Sequence, residues 1–159
     1  MSEVWVAPPH ETLAVAALLI AFRDWMHESE PADGAIAASV ATLMEDPATE
    51  YLLGAGAAGE APCGVSQLRF RHSVWTSSPD CWLEDLYVEA PARGRGVGRA
   101  LVELALERAR ARGAARIELD TNERNGGAIA LYESLGFSAS SKIHATMDGR
   151  DIFMGRRLR

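Results

Sequence analysis

The sequence predicts a mixed α/β fold of α+β character. Its centre is a twisted, mostly antiparallel sheet of roughly six to seven strands with about four helices, in a single domain over residues 1–159. Three observations predict it. First, a strand-like run, Trp82–Val88, is followed by a glycine-rich loop, a helical stretch Ala100–Arg112 and a second strand-like run, Ala115–Thr121. A helix joining consecutive strands makes them parallel neighbours through a right-handed crossover. Second, strand and turn signals alternate from Glu50 to Val88 without a helix, which predicts an antiparallel run. Third, Ser138–Met147 and Asp151–Arg157 flank Asp148-Gly149, a hairpin turn.

The elements follow in order. Glu3–Ala7 is a first strand, stopped by Pro8-Pro9. Glu11 to about His27 is a helix: Leu13, Ala16, Ala17, Ile20 and Trp25 supply an apolar face that Leu18, Leu19 and Phe22 widen. His27–Gly34 is a polar loop, and Ala35–Glu45 is a second helix broken by Asp46-Pro47. Glu50–Ala55 is a strand, Gly56–Pro62 a glycine-rich turn, and Cys63–Trp75 a long strand with partial alternation. Thr76–Asp80 returns the chain into Trp82–Val88. Leu101, Leu104, Ala105 and Ala109 form the apolar face of the next helix, and Gly113 stops it. Asn122–Asn125 is a loop and Gly126–Ser134 a short helix.

Composition bounds the function. A chain of 159 residues is long enough to bury about 70% of its unfolded surface. Its net charge of −6 and pI of about 5.2 argue against a nucleic-acid binder, which needs a basic face. Cys63 and Cys81 make no disulfide framework. If Cys63–Trp75 and Cys81–Val88 pair as a hairpin, Cys81 falls near Val74, away from Cys63. His10, His27, His72 and His144 are too scattered to predict a metal site. Thr12–Phe22 is too short to span a bilayer, and the N-terminus lacks a signal-peptide pattern. These features predict a cytoplasmic protein with no membrane partner.

The stretch Arg93-Gly94-Arg95-Gly96-Val97-Gly98-Arg99 stands between a strand and a helix start. Glycines turn the backbone sharply and admit a ligand close to it. A helix N-terminus offers unpaired N–H groups and partial positive charge, and arginine adds planar donors suited to phosphate. Together these make a pyrophosphate cradle. Arg99-Ala100 replaces the Lys-Ser/Thr of a Walker A loop, and a dinucleotide fingerprint starting at Gly94 needs a small residue where Arg99 stands. Both of those readings fail.

Arg93-x-x-Gly96-x-Gly98 resembles the Q/R-x-x-G-x-G/A acyl-CoA motif of the GNAT superfamily of N-acetyltransferases. A second pattern of that family, N-x-x-A-x-x-L-Y-x-x-x-G-F, is matched by Asn125, Ala128, Leu131, Tyr132, Gly136 and Phe137. The resemblance covers Trp82–Phe137 well and the N-terminal part in element order. Leu83–Val88 is also weakly similar to the corresponding strand of diamine and polyamine acetyltransferases.

The resemblance implies that the parallel pair Trp82–Val88 and Ala115–Thr121 splays apart and takes acetyl-CoA in the resulting V, without a metal. The backbone around Leu86, Tyr87 and Val88 would bind pantetheine and the acetyl carbonyl. The loop Arg93, Gly94, Arg95, Gly96, Val97, Gly98 and Arg99 would bind the pyrophosphate, and Asn125 the pantetheine arm. Tyr132 would sit beside the sulfur and protonate the leaving thiolate. Glu84 is the candidate base. Asp85 points to the other strand face unless a bulge reorients it, and is a candidate for a substrate amine. Trp25, His27, Glu28 and Glu30 are further substrate candidates, because the first two helices and their loop often line the acceptor site in this family. Solvated or packing roles are the alternative for each, and Arg108, Arg110 and Arg112 read as a solvated face.

The function so implied is direct acetyl transfer from acetyl-CoA to the primary amine of a small molecule: a polyamine, an amino-acid-like amine or an aminoglycoside. A protein N-terminus or lysine is the second acceptor class. A non-catalytic acyl-CoA sensor is the alternative of another kind. Homodimers are common in this fold, although the sequence carries no interface signature.

Overall fold

The computed structural model describes residues 1–146 and 149–159. Asp148, half of the expected hairpin turn, lies outside them, as does the side chain of His144. The strands are β1 (Glu3–Val6), β2 (Thr49–Ala55), β3 (Gly64–Ser73), β4 (Ser78–Val88), β5 (Arg116–Asn122), β6 (Ser138–Thr146) and β7 (Gly149–Arg157). The helices are α1 (Thr12–Trp25), α2 (Asp33–Met44), α3 (Val97–Ala111) and α4 (Gly126–Ser134). Among the described residues the strands form one seven-stranded sheet in the order β1-β2-β3-β4-β5-β7-β6. Every neighbouring pair is antiparallel except β4–β5, which is parallel. The expected mixed, mostly antiparallel sheet is therefore observed.

Helices cover both faces of the sheet. Successive strand residues point to opposite faces, so one strand feeds two cores. On β2, Tyr51 and Leu53 pack with Val15 and Leu18 of α1, Val40 of α2, Val65 and Tyr87. Leu52 between them joins the other core, with Leu68, Leu83, Leu101, Ile117, Leu119 and Tyr132. No helix among the described residues is long and apolar enough to cross a membrane.

Several boundaries differ from the sequence reading. On α1 the buried residues are Val15, Ala16 and Leu18, whereas Leu13 is 78% exposed. The helix is apolar nearly all round, so periodicity alone does not fix which side faces the sheet. β4 begins at Ser78, within the stretch read as a return. The shorter turn moves the β3–β4 register: Cys81 stands opposite Phe70 rather than near Val74. Cys81 is buried and Cys63 partly so, and both are free thiols.

α3 begins at Val97, three residues before the expected start at Ala100. Its N-cap, Gly96, has φ +83, a left-handed conformation that glycine adopts without strain. Two glycines set the depth of this helix start. Gly54 of β2 and Gly64 of β3 are directly paired. A Cβ on Gly64 would stand 2.9 Å from Val97 Cγ1 and 3.0 Å from Leu101 Cδ1. A Cβ on Gly54 would stand 2.8 Å from the same Val97 methyl. The sheet surface is thus cut away where the first turn of α3 seats. Gly64→Ala is expected to destabilise the fold by about 1–3 kcal/mol, the usual cost of overpacking a core. Thermal melting reads this directly.

The C-terminal turn of α3 is tied to β2. Arg108 Nε lies 2.6 Å from Glu50 Oε1, and Arg112 Nη1 lies 3.1 Å from Glu50 Oε2. Arg112 also covers the Phe70 ring at 4.1 Å. Arg108 and Arg112 are therefore not the solvated face expected from sequence. Their positive charges also suit the negative end of the helix dipole.

Candidate active site

β4 and β5 are registered at two positions, Cys81↔Ile117 and Trp82↔Glu118. Beyond them the strands part. The opening is a cleft of about 1050 Å³, walled by β4, β5, the α3 start, α4 and the end of α1. Glu89 donates its N–H to the carbonyl of Cys63, the residue just before β3, at 2.9 Å. Alternation along β4 then turns the peptide groups of Val88 and Leu86 toward β5 and the cleft. The Val88 carbonyl does face that way: it accepts from Arg93 Nε at 2.9 Å.

The cleft gathers most residues singled out by the sequence: Trp25, Asp85, Leu86, Tyr87, Val88, Arg93, Gly94, Gly96, Val97, Gly98, Arg99, Asn125 and Tyr132 all line it. At one end stands the glycine loop. Gly94 has φ +80, and α3 begins directly after Gly96. The N–H groups of the first helical turn have no intrahelical acceptor, so Val97, Gly98 and Arg99 present theirs to this end of the cleft. A Cβ on Gly98 would meet Val88 Cγ2 at 3.7 Å and Leu131 Cδ2 at 3.8 Å. The floor there is close to the side chains on both banks yet not filled by them.

The arginines of the loop do different things. Arg99 lines the cleft while holding Glu103 at 3.2 Å and the Ser134 hydroxyl at 3.1 Å. Arg95 is not among the lining residues; its guanidinium pairs with Glu60 at 3.3 Å and lies over Gly56. Arg93 lies over the Trp25 ring at 5.0 Å and the Tyr87 ring at 5.9 Å. It thereby links the loop to an aromatic wall in which Phe22 stacks on Tyr87 at 5.1 Å.

Tyr132 is 5% exposed and packs its ring 5.7 Å from that of Phe137. Burial, reinforced by the Asp120 carboxylate, pushes its phenol up to about 12. Its proton is therefore held throughout the neutral range. Asn125 caps α4, accepting from the Ala128 N–H at 3.4 Å, and lines the cleft from that position.

The two carboxylates on β4 are separated by the strand geometry. Leu86 pairs with Ser66 and Glu84 with Gln67, so Asp85 is an extra residue, a bulge. Its φ of +53 is left-handed, a conformation that aspartate tolerates better than most residues. The bulge turns Asp85 into the cleft. Glu84 is half-buried and not among the lining residues; it pairs with Gln67 in the ladder. Two buried atoms without hydrogen-bond partners among the described residues, Ser66 Oγ and Gln67 Nε2, belong to the β3 residues that flank the bulge. Glu28 also lies outside the cleft lining, while Trp25, three residues before it, is half exposed and within it.

The structure adds residues that sequence reasoning missed. Asp120 of β5 and Asp151 of β7 line the cleft, Asp151 accepting from Asn122 Nδ2 at 3.2 Å. Asp120 occupies the β5 position two residues past the last registered rung, a placement that only the pairing of β4 with β5 reveals.

A parallel pair that opens over a glycine-rich helix start, with a buried tyrosine on one bank, defines the acetyltransferase class anticipated from the two motifs. The family model described as Acetyltransferase (GNAT) family matches residues 16–137, so the chain belongs to that family. Over 76 residues, 46% of this chain and 25% of the relative, it is 43% identical to the mycothiol acetyltransferase of Beutenbergia cavernae. Over 72 residues, 43% of this chain and 49% of the relative, it is 38% identical to the ribosomal protein bS18-alanine N-acetyltransferase of Escherichia coli. These matches span a quarter to a half of the relatives' own lengths. An acetyltransferase structure from Salmonella typhimurium with its cofactor acetyl-CoA has the same fold, with a TM-score of 0.77 over 100% of this chain and 95% of that one at 16% identity.

Proposed function

We propose that the protein is a cytoplasmic, acetyl-CoA-dependent N-acetyltransferase that passes the acetyl group directly to the primary amine of a small molecule. One observation carries this reading: β4 and β5 part after two registered positions, and the resulting cleft runs from the free amides of α3 to Tyr132. The pyrophosphate of the donor fits the N–H groups between Gly94 and Arg99. Its pantetheine arm fits the outward peptide groups of Leu86 and Val88, with Asn125 opposite. The Val88 N–H then faces the thioester carbonyl and stabilises the oxyanion of the tetrahedral intermediate.

Tyr132 serves the departing sulfur. An ordinary thiol has a pKa of about 8.5, below that of the Tyr132 phenol at about 12. Outright proton transfer from phenol to thiolate is therefore uphill, and the phenol works by donating a hydrogen bond as charge builds on sulfur. The acidic groups at the β4–β5 end of the cleft favour a cationic acceptor. The likeness to a mycothiol acetyltransferase supports a small acceptor; the likeness to the ribosomal enzyme supports a second reading, the α-amine of a peptide.

The test is a panel of diamines, amino acids, aminoglycosides and alanine-terminated peptides with acetyl-CoA, read by free thiol. A small amine is expected to give the highest kcat/KM. Calorimetric binding of acetyl-CoA without thiol release from any amine would identify a sensor instead.

A further inference from the structure

We propose that Asp85, rather than Glu84, is the carboxylate that takes the proton from the acceptor amine. The inference rests on the acetyl-transfer reading above and assigns the base within it. Strand alternation alone favours Glu84; the observed backbone does not. The bulge at Asp85 uncouples this residue from the ladder, and its left-handed φ of +53 turns the side chain into the cleft, where Glu84 has no place.

The height of Asp85 along the sheet is also right. The last registered rung is Trp82↔Glu118. Two residues further on β5 is Asp120. Two residues further on β4 is Glu84, with the bulged Asp85 at almost the same level. Asp85 and Asp120 therefore stand on opposite banks just where the strands begin to separate, and both line the cleft. Tyr132, which serves the sulfur, lines the same cleft. An amine between these banks has a carboxylate beside its nitrogen and the thioester carbonyl ahead of it.

The groups around Asp85 tune it for this task. Asp85 is exposed to solvent along the cleft, and the protein packed on its other side partly desolvates its carboxyl. Burial first, then the negative charges of Glu84 and Asp120, raise its pKa above the ordinary carboxylate value. Tyr51, on β2, faces it with a phenol that burial and the charges of Asp85 and Glu84 push up to about 12, partly offset by Arg69 of β3. Tyr51 is therefore a neutral neighbour at working pH. A base with raised proton affinity removes a proton from an ammonium more readily than an ordinary aspartate does.

The proton count closes. The ammonium R–NH₃⁺ gives one proton to Asp85, which passes it to solvent. The neutral amine forms the C–N bond and the C–S bond breaks. The nitrogen sheds a second proton as the amide forms, and the thiolate gains one from solvent. The products are R–NH–CO–CH₃, CoA-SH and one released proton.

The test compares Asp85→Asn with Glu84→Gln by kcat across pH, using the best amine of the panel. For Asp85→Asn, turnover at neutral pH is expected to fall about 10²–10⁴-fold. It should then climb about tenfold per pH unit toward the amine's own pKa, near 10.4. Glu84→Gln is expected to keep the acid limb that Asp85 gives the profile, moved toward lower pH because the Glu84 charge no longer raises Asp85. Asparagine suits a left-handed backbone, so the fold survives, and undiminished calorimetric binding of CoA confirms it. A wild-type enzyme that turns over while Asp85→Asn keeps its profile overturns this assignment alone. So does a profile lost in Glu84→Gln instead. A wild-type protein that binds CoA but acetylates no amine overturns the acetyl-transfer reading with it.

Discussion

Tyr132→Phe is expected to lower kcat by about 10²–10³-fold, the range typical for removing one positioned hydrogen-bond donor to developing charge, with little change in the Kd for acetyl-CoA. The ring is buried and packs against Phe137, and phenylalanine keeps both contacts. What disappears is the hydroxyl that meets the sulfur. Without it the thiolate leaves into a buried, poorly solvated corner, which raises the barrier to collapse of the intermediate. The pH–rate profile should be lowered without a new limb at neutral pH, because the phenol it replaces titrates at about 12. Single-turnover kinetics with saturating donor, beside calorimetry of donor binding, separate the two effects. Equal turnover by the variant removes Tyr132 from the chemistry.

Glu50→Ala should give the largest loss of stability among the surface-reaching ion pairs, about 3 kcal/mol. Glu50 is 8% exposed and accepts from Arg108 and Arg112 at 2.6–3.2 Å. Charge-assisted hydrogen bonds contribute about 1.5–3 kcal/mol each. The two arginine side chains are 37% and 31% exposed, so they rehydrate when the carboxylate is removed, and the sum is discounted accordingly. For a chain of this size the midpoint should fall by about 6–12 °C. Activity of the folded fraction should change little, because this tie lies outside the cleft lining. Circular dichroism melts alongside thiol-release assays distinguish the two.

The glycine-loop end of the cleft was legible in the sequence because it is local. The glycine loop, the helix it starts and the Asn125–Phe137 pattern each lie within one short stretch, and backbone geometry carries their chemistry. The early start of α3 was not legible. Gly98 and the β-branched Val97 are weak helix formers, so propensity argues for a start at Ala100, while packing of Val97 over Gly54 and Gly64 overrides it. The end of the cleft where β4 and β5 separate is non-local. Asp120 is an unremarkable strand-end aspartate until β5 is placed beside β4. The Asp85 bulge is a mismatch between two strands, which the periodicity of one strand cannot report. Glu50 and its arginines are 58 and 62 residues apart, so Arg108 and Arg112 read as solvated in isolation.

The brief contact between β4 and β5 has a mechanical consequence. Two registered positions pair β4 with β5; past them, the β1–β4 and β5–β7–β6 groups are held together by the core they share, in which Leu83 and Leu101 pack with Ile117, Leu119 and Met154. In the proposed binding mode, a thioester whose amide arm bonds to one bank and lies against the other sutures that seam. Saturation with acetyl-CoA is then expected to slow hydrogen exchange of the β4 and β5 amides beyond the seam.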